Sequence, residues 1–253
     1  MISRRELIQL GLFISIPAIA SCSKDSTVPI FRTSDEILPK ELIRSLPKPW
    51  LLKPLKINSE LESDQLIIPQ NTDLVAIGDG WVSQLSKESI RPIVAENLSS
   101  RLNRQAQMFL KGFGTTLASR IFPIGVSPWV MLFRNGDPWL SSAKQGWNVL
   151  LDSELTGKVV LPASPRVIIS IANQINDSHA LKKLRIQSLT FDDRNSLNWV
   201  LSGKARVAIL PLYRCFRSLI KDPRLSVVFP GDGAPLNWIV LVRPNQTKQP
   251  FPA

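Results

Sequence analysis

Residues 122–136 read FPIGVSPWVMLFRNG, and they constrain the fold more than any other stretch. The run 129–133 is apolar and rich in β-favouring side chains, and it is bounded by Gly125 and by Asn135-Gly136. A short apolar run between such turn residues reads as a buried strand. One set of strand and helix signals precedes it, and a second, similar set follows from Asp137-Pro138. A strand that leaves one α/β unit and enters another predicts two lobes with a ligand cleft between them. Ser127, Pro128 and Trp129 are an unusual trio for plain core, so Ser127 and Trp129 are candidate cleft residues.

The flanking patterns support alternation. Residues 74–77 (LVAI) form a buried strand that runs into Gly78-Asp79-Gly80-Trp81 and a helix start. Strand, glycine turn, helix is the geometry that exposes backbone N–H groups at a strand's C-terminal end, where ligands bind in α/β sheets. As a G-x-G-x-x-S pattern it falls short of a dinucleotide fingerprint, and the chain has no GK[ST] phosphate loop. Leu98, Leu102, Ala106, Phe109 and Leu110 keep a helical period closed by Gly112. Asp137-Pro138 opens a helix on which Trp139, Ala143 and Trp147 recur. Residues 158–161 are a strand, and Ser164-Pro165-Arg166 starts a helix with Val167, Ile168, Ile171, Ala172 and Ile175 facing inward. Asp192 or Asp193 opens a helix that ends at Gly203. Residues 206–210, 225–229 and 238–242 are strands. Alternation of this kind predicts an α/β protein with mostly parallel sheets.

Composition removes several function classes. The 253 residues include two cysteines and one histidine, which rules out a Cys/His zinc cluster. The net charge is +11. The basic residues are scattered, which fits a solubility or lipid-surface role better than a nucleic-acid site, so no nucleic-acid partner is expected. A serine hydrolase would need Ser127 as nucleophile and His179 as its base. Gly125-Val126-Ser127 lacks the second glycine of a hydrolase elbow, and His179 reads as an exposed residue at a helix start. No enzyme activity and no cofactor are expected.

The N-terminus carries an address. Ser3-Arg4-Arg5 precedes a short apolar run, too short to span a bilayer, which takes ~20 residues. Two arginines, an apolar core and small residues describe an export signal over residues 1–21, and the paired arginines resemble the twin-arginine type. Ile19-Ala20-Ser21-Cys22 resembles a bacterial lipobox. Cys22 would then be acylated and residues 22–27 would form a tether. Cys215 is left as a packed thiol without an intrachain partner.

Residues 72–82 (TDLVAIGDGWV), the 122–136 strand, 147–161 (WNVLLDSELTGKVVL), 203–208 (GKARVA) and 228–238 (VFPGDGAPLNW) follow one another in a telling order. With the lipobox, they resemble the bacterial solute-binding lipoproteins of ABC importers, closest to the spermidine/putrescine branch. The resemblance implies a two-lobed α/β, periplasmic-binding-protein-like fold of type II. Lobe 1 would span residues 28–122, the hinge strand 123–136, lobe 2 137–236, and a return strand and tail 237–253, with a short C-terminal part. It implies capture of a small solute, polyamine-type by branch, by a monomer. That monomer is anchored on the extracytoplasmic face and hands its solute to an ABC permease. The implied ligand-binding residues are Gly78, Asp79, Gly80, Trp81, Ser127, Trp129, Ser164, Arg166 and Trp238. The chain departs from the branch at two acidic positions, which are Val240 and the 163–167 helix start here. Asp79 and Asp232 remain as candidate anionic partners. An anionic or zwitterionic solute, held by the helix starts at Gly80 and Ser164 with Arg166, is one alternative, and a truncated copy that does not transport is another.

Overall fold

A computed structural model of the chain describes residues 28–34, 37–55, 57–58, 65–192 and 195–251. The export signal, the tether and Cys22 lie outside the described residues. The first unit runs β1 (Ile30–Thr33), α1 (Lys40–Arg44), β2 (Leu51–Pro54), the short β3 (Ile57–Asn58) and β4 (Gln65–Leu66), then β5 (Leu74–Gly78). A 3₁₀ turn over Asp79–Gln84 leads to β6 (Ile90–Arg91), α2 (Glu96–Ser99), α3 (Arg104–Lys111) and α4 (Gly114–Ala118). The stretch foreseen as a hinge is β7 (Ile121–Arg134), a strand of 14 residues.

Beyond it come α5 (Leu140–Gln145), 3₁₀ turns over Trp147–Leu151 and Ser153–Leu155, β8 (Val159–Leu161) and α6 (Pro165–Ala172). Then follow α7 (Ala180–Gln187), β9 (Ser188–Phe191), α8 (Ser196–Leu201), β10 (Val207–Pro211) and α9 (Leu212–Lys221). The chain returns through β11 (Leu225–Val228) and β12 (Leu236–Pro244).

The strand order is β2-β1-β5-β12-β7-β10-β8-β9, with β11 also on β7. The first half of β7 pairs with β12, from Ile121↔Val242 to Pro128↔Leu236. Its second half pairs with β10, from Trp129↔Pro211 to Phe133↔Val207, and with β11. Pro123 and Pro128, which lack an N–H, fall where β7 has a strand on one edge only among the described residues, which is where a sheet tolerates proline. The register slips opposite Ile239/Val240, so Ile124 has no partner and the strand bends there.

Strand direction corrects the expectation of mostly parallel sheets. β1, β2 and β5 pair in parallel, as do β8, β9 and β10. The long strand and its neighbours do not: β12 is antiparallel to β5 and β7, and β10 and β11 are antiparallel to β7. The cause is the path. β7 carries the chain out of the first lobe and β11–β12 carries it back, so the two crossings must run in opposite directions.

Alternation along the strands gives each lobe two apolar faces. In the first lobe Val75, Ile77, Val240 and Val242 pack with Trp81, Phe109 and Leu110, whereas Leu74, Ala76, Ile239 and Leu241 pack with Phe31, Leu38 and Trp50. In the second, Trp129, Met131, Phe133, Val207 and Ile209 meet Trp147, Ile171 and Leu184, while Val130, Leu132, Ala208 and Leu210 meet Val200 and Cys215. The strand β7 supplies both lobes, Ile121 to one and residues 129–133 to the other. Each large apolar side chain so buried contributes about 1.5–3 kcal/mol. The Cys215 thiol sits in this packing, and burial pushes its pKa up to about 12.

Two local expectations change, and a third contact set had no signal in the sequence. The 97–111 helix is broken, because the Asn103 side chain accepts from Ala106 N (2.9 Å) and caps α3 afresh. Trp147 belongs to a 3₁₀ turn and not to α5, from which Gly146 separates it. The polar 245–251 segment is tied down: Thr247 Oγ1 donates to Asp73 Oδ1 (2.5 Å), Arg91 donates to the Thr247 carbonyl, and Phe251 meets Phe122 edge-on.

Candidate functional site

Two of the expected residues meet across the lobes. Asp79 stands where β5 ends and the 3₁₀ turn begins, and Arg166 is in the first turn of α6. Arg166 Nη2 donates to Asp79 Oδ2 at 2.9 Å. The two sides of the pair are unequal. The Asp79 side chain is 1% exposed and that of Arg166 58% exposed. Asp79 Oδ1 is buried and has no hydrogen-bond partner. Burial raises the Asp79 pKa above the usual 3.8, against the pull of Arg166 and of the Trp238 and Gly80 backbone amides. The carboxylate is thus a desolvated charge from one lobe, only partly satisfied, capped by a flexible cation from the other.

The remaining expected residues have other tasks. Gly78 and Gly80 flank Asp79. Gly80 is exposed and a Cβ there would meet nothing within 4 Å, while at Gly78 it would come to 4.0 Å from Asn237 and Trp81. Trp81 is half-buried against the first lobe's core. Trp238 is 8% exposed, and Phe109 stacks on it at 4.6 Å and 18°. One face of that indole is therefore covered by the protein's own ring. Trp129 is buried in the second lobe's core, with its Nε1 unpartnered. Ser164 is the N-cap residue of α6, but its hydroxyl caps nothing.

Ser127 is buried, and its Oγ accepts from Tyr213 N (3.1 Å), which satisfies an amide in the first turn of α9. Among the described hydrogen bonds none joins it to His179, which is exposed and precedes α7. The nucleophile–base contact that a hydrolase needs is absent from that set. Among the described hydrogen bonds and ion pairs none joins Asp232 to Asp79. Asp232 lies against Gly146 and lines a cavity of about 450 Å³ with Ser142, Asn148 and Asp152. Val240, at a position acidic in the resembled branch, is fully buried in the first lobe's core.

Sequence reasoning did not find Phe109 as the partner of Trp238. Its helical spacing placed it on an inward face, but a stack between residues 129 positions apart leaves no local signal. The same holds for the loop 229–235, whose Gly231 N donates to Lys144 O (3.0 Å) and whose Gly233 O accepts from Trp147 Nε1 (2.9 Å). A Cβ on Gly231 would sit 2.9 Å from Lys144 O, so the loop's close approach requires glycine there.

Solved structures share this architecture. The spermidine/putrescine ABC transporter substrate-binding protein PotD from Streptococcus pneumoniae matches with a TM-score of 0.58 at 12% identity, over 87% of this chain and 73% of that one. The apo ferric ion-binding protein A of Pasteurella haemolytica gives 0.62 at 12%, over 88% and 75%. The fold is that of the type II periplasmic binding proteins. A protein described as mediating two-component signal transduction, at 0.63 and 14% over 89% and 77%, shares it too. At these identities the likeness is one of fold. No family model and no curated protein sequence matches the chain. Within this fold Asp79 and Arg166 face each other between the two lobes.

Proposed function

We propose that this protein is the solute-binding component of an ABC importer, which captures a small solute between its lobes and presents it to a membrane permease. The observation that carries the reading is the Asp79–Arg166 pair, a buried carboxylate from one lobe whose one ion-pair partner among the described residues is an arginine from the other. Buried charge is costly unless paired, so a half-satisfied Asp79 favours a ligand that completes it. Asp79 calls for an ammonium, and the polyamine-type sequence resemblance and the PotD likeness support an amine on the solute. A ferric ion is poorly supported: among the described residues no group of three His, Cys, Asp or Glu could hold a metal, and Tyr213 is the one tyrosine of the chain. Residues 28–122 and 137–236 act as the two jaws, and 123–136 with 237–244 as the crossings.

The test is a thermal-melting screen of the purified protein against polyamines, amino acids and organic anions. A ligand of the native state raises the midpoint according to its affinity. A solute that raises it in wild type and not in Asp79→Asn supports the reading, and a screen with no stabilising solute contradicts it.

Residues 1–22, outside the described residues, act in the same proposal as an export signal ending in a lipidated cysteine. Cys22→Ala is expected to move the protein from the membrane fraction to the soluble extracytoplasmic fraction. Unchanged fractionation would count against the anchor.

A further inference from the structure

The two lobes contribute opposite charges to one ion pair. The first lobe offers the Asp79 carboxylate, of which Oδ2 holds Arg166 and Oδ1 is buried without a partner. The second offers Arg166, with no carboxylate but Asp79 among the described ion pairs. The first turn of α6 has no acidic residue, and Pro165 stands at its start. A helix start is favourable for anions and unfavourable for cations. Val240, the other position where a second carboxylate would be sought, is buried in apolar core, and Asp232 lies beside Gly146. A diamine could pair one end with Asp79. Its other end would face a guanidinium and the positive end of a helix.

We infer that the solute is dipolar, with an ammonium group that replaces the Arg166 guanidinium on Asp79 and a carboxylate that the released Arg166 binds. The inference rests on the solute-binding reading above and narrows it to the amino-acid class. Arg166 suits the second role. Its side chain is more than half exposed, so it can swing without breaking core packing, and a guanidinium offers a planar fork that matches a carboxylate. The exchange keeps every charge paired. Before binding, Asp79 and Arg166 neutralise each other; after it, each holds the opposite end of the same solute.

The experiment is titration calorimetry of the purified protein with α- and ω-amino acids of two to six carbons, beside diamines and dicarboxylates of the same lengths. Putrescine, 4-aminobutanoate and succinate form the central trio. The tightest ligand is expected to be an amino acid, at least tenfold tighter than the diamine and dicarboxylate of matched length. Arg166→Glu is expected to invert that order in favour of the diamine, with an unchanged circular-dichroism spectrum. A diamine or dicarboxylate that binds wild type most tightly overturns the inference, as does an order unmoved by Arg166→Glu. If no member binds while the melting screen finds another ligand, the dipolar class is wrong and solute binding stands. If both are silent, the function itself falls.

Discussion

Asp79→Asn is expected to weaken solute binding by about 2–5 kcal/mol, roughly 30-fold or more in affinity, while leaving the fold intact. The loss is large because the substitution removes one partner of a desolvated charge pair and leaves the solute's ammonium unpaired. Stability responds differently, because the carboxyl is already unfavourably placed. Burial is the largest influence on it and holds its pKa above 3.8, with Arg166 opposing. The folded chain therefore keeps this proton at a pH where the unfolded chain has released it. As pH falls through the window between the raised value and 3.8, this group adds to stability; above the window it subtracts. Asparagine removes the term, so the melting midpoint at neutral pH is expected to stay level or rise. Wild-type affinity should fall on the same descent in pH, and the Asn variant should show no such titration. Calorimetry across that pH range checks both. A variant that binds normally would place the anchor elsewhere.

Trp147→Ala is expected to destabilise the protein by about 3–5 kcal/mol, a large part of the 5–15 kcal/mol typical of a domain. The indole is fully buried among Phe133, Ile171 and Leu184, and its Nε1 donates to Gly233 O at 2.9 Å. The ring therefore fills a core and also fastens the 229–235 loop, through which the chain crosses back between lobes. Trp147→Phe keeps most of the packing and loses the hydrogen bond, and should cost less than the alanine variant. Urea unfolding gives the comparison. Equal losses in the two variants would mean that the hydrogen bond, and not the packing, dominates.

The fold was legible where a strand is buried on both faces, because such strands have one reading. Residues 74–78, 159–161, 207–211 and 129–133 are continuous apolar runs, and each became a strand with two core faces. Strand direction was not legible. Nothing local in residues 225–228 or 236–244 says which edge of β7 they will join, and that edge fixes their sense. Helix ends were misjudged where one polar or small residue outweighed a longer apolar period, as Asn103 and Gly146 did.

Asp79 and Arg166 were both singled out as candidates in the sequence, because a strand-to-turn junction and a helix start each have a signature in composition. Their meeting was not. It joins residues 87 positions apart, and only the closed path of β7 and β12 brings them together. The tryptophans were the weakest part of the sequence reading. Their aromatic surface suits a methylene chain and an apolar core equally well, and Trp129 and Trp238 went to core and to a ring stack.

Under the proposed function the two lobes close on solute about the β7 and β11–β12 crossings, with Arg166 on Asp79 bridging them. Pulsed electron spin resonance tests it most directly, with spin labels on Met108→Cys of α3 and Leu181→Cys of α7, both exposed sites, in a Cys22→Ala background. Cys215 is buried with its pKa raised to about 12 and stays unlabelled. Arg166→Ala is expected to shift the distances measured without added solute to longer values, and a solute from the melting screen to return them toward the wild-type values. One distance distribution, unmoved by Arg166→Ala and by solute, would contradict it.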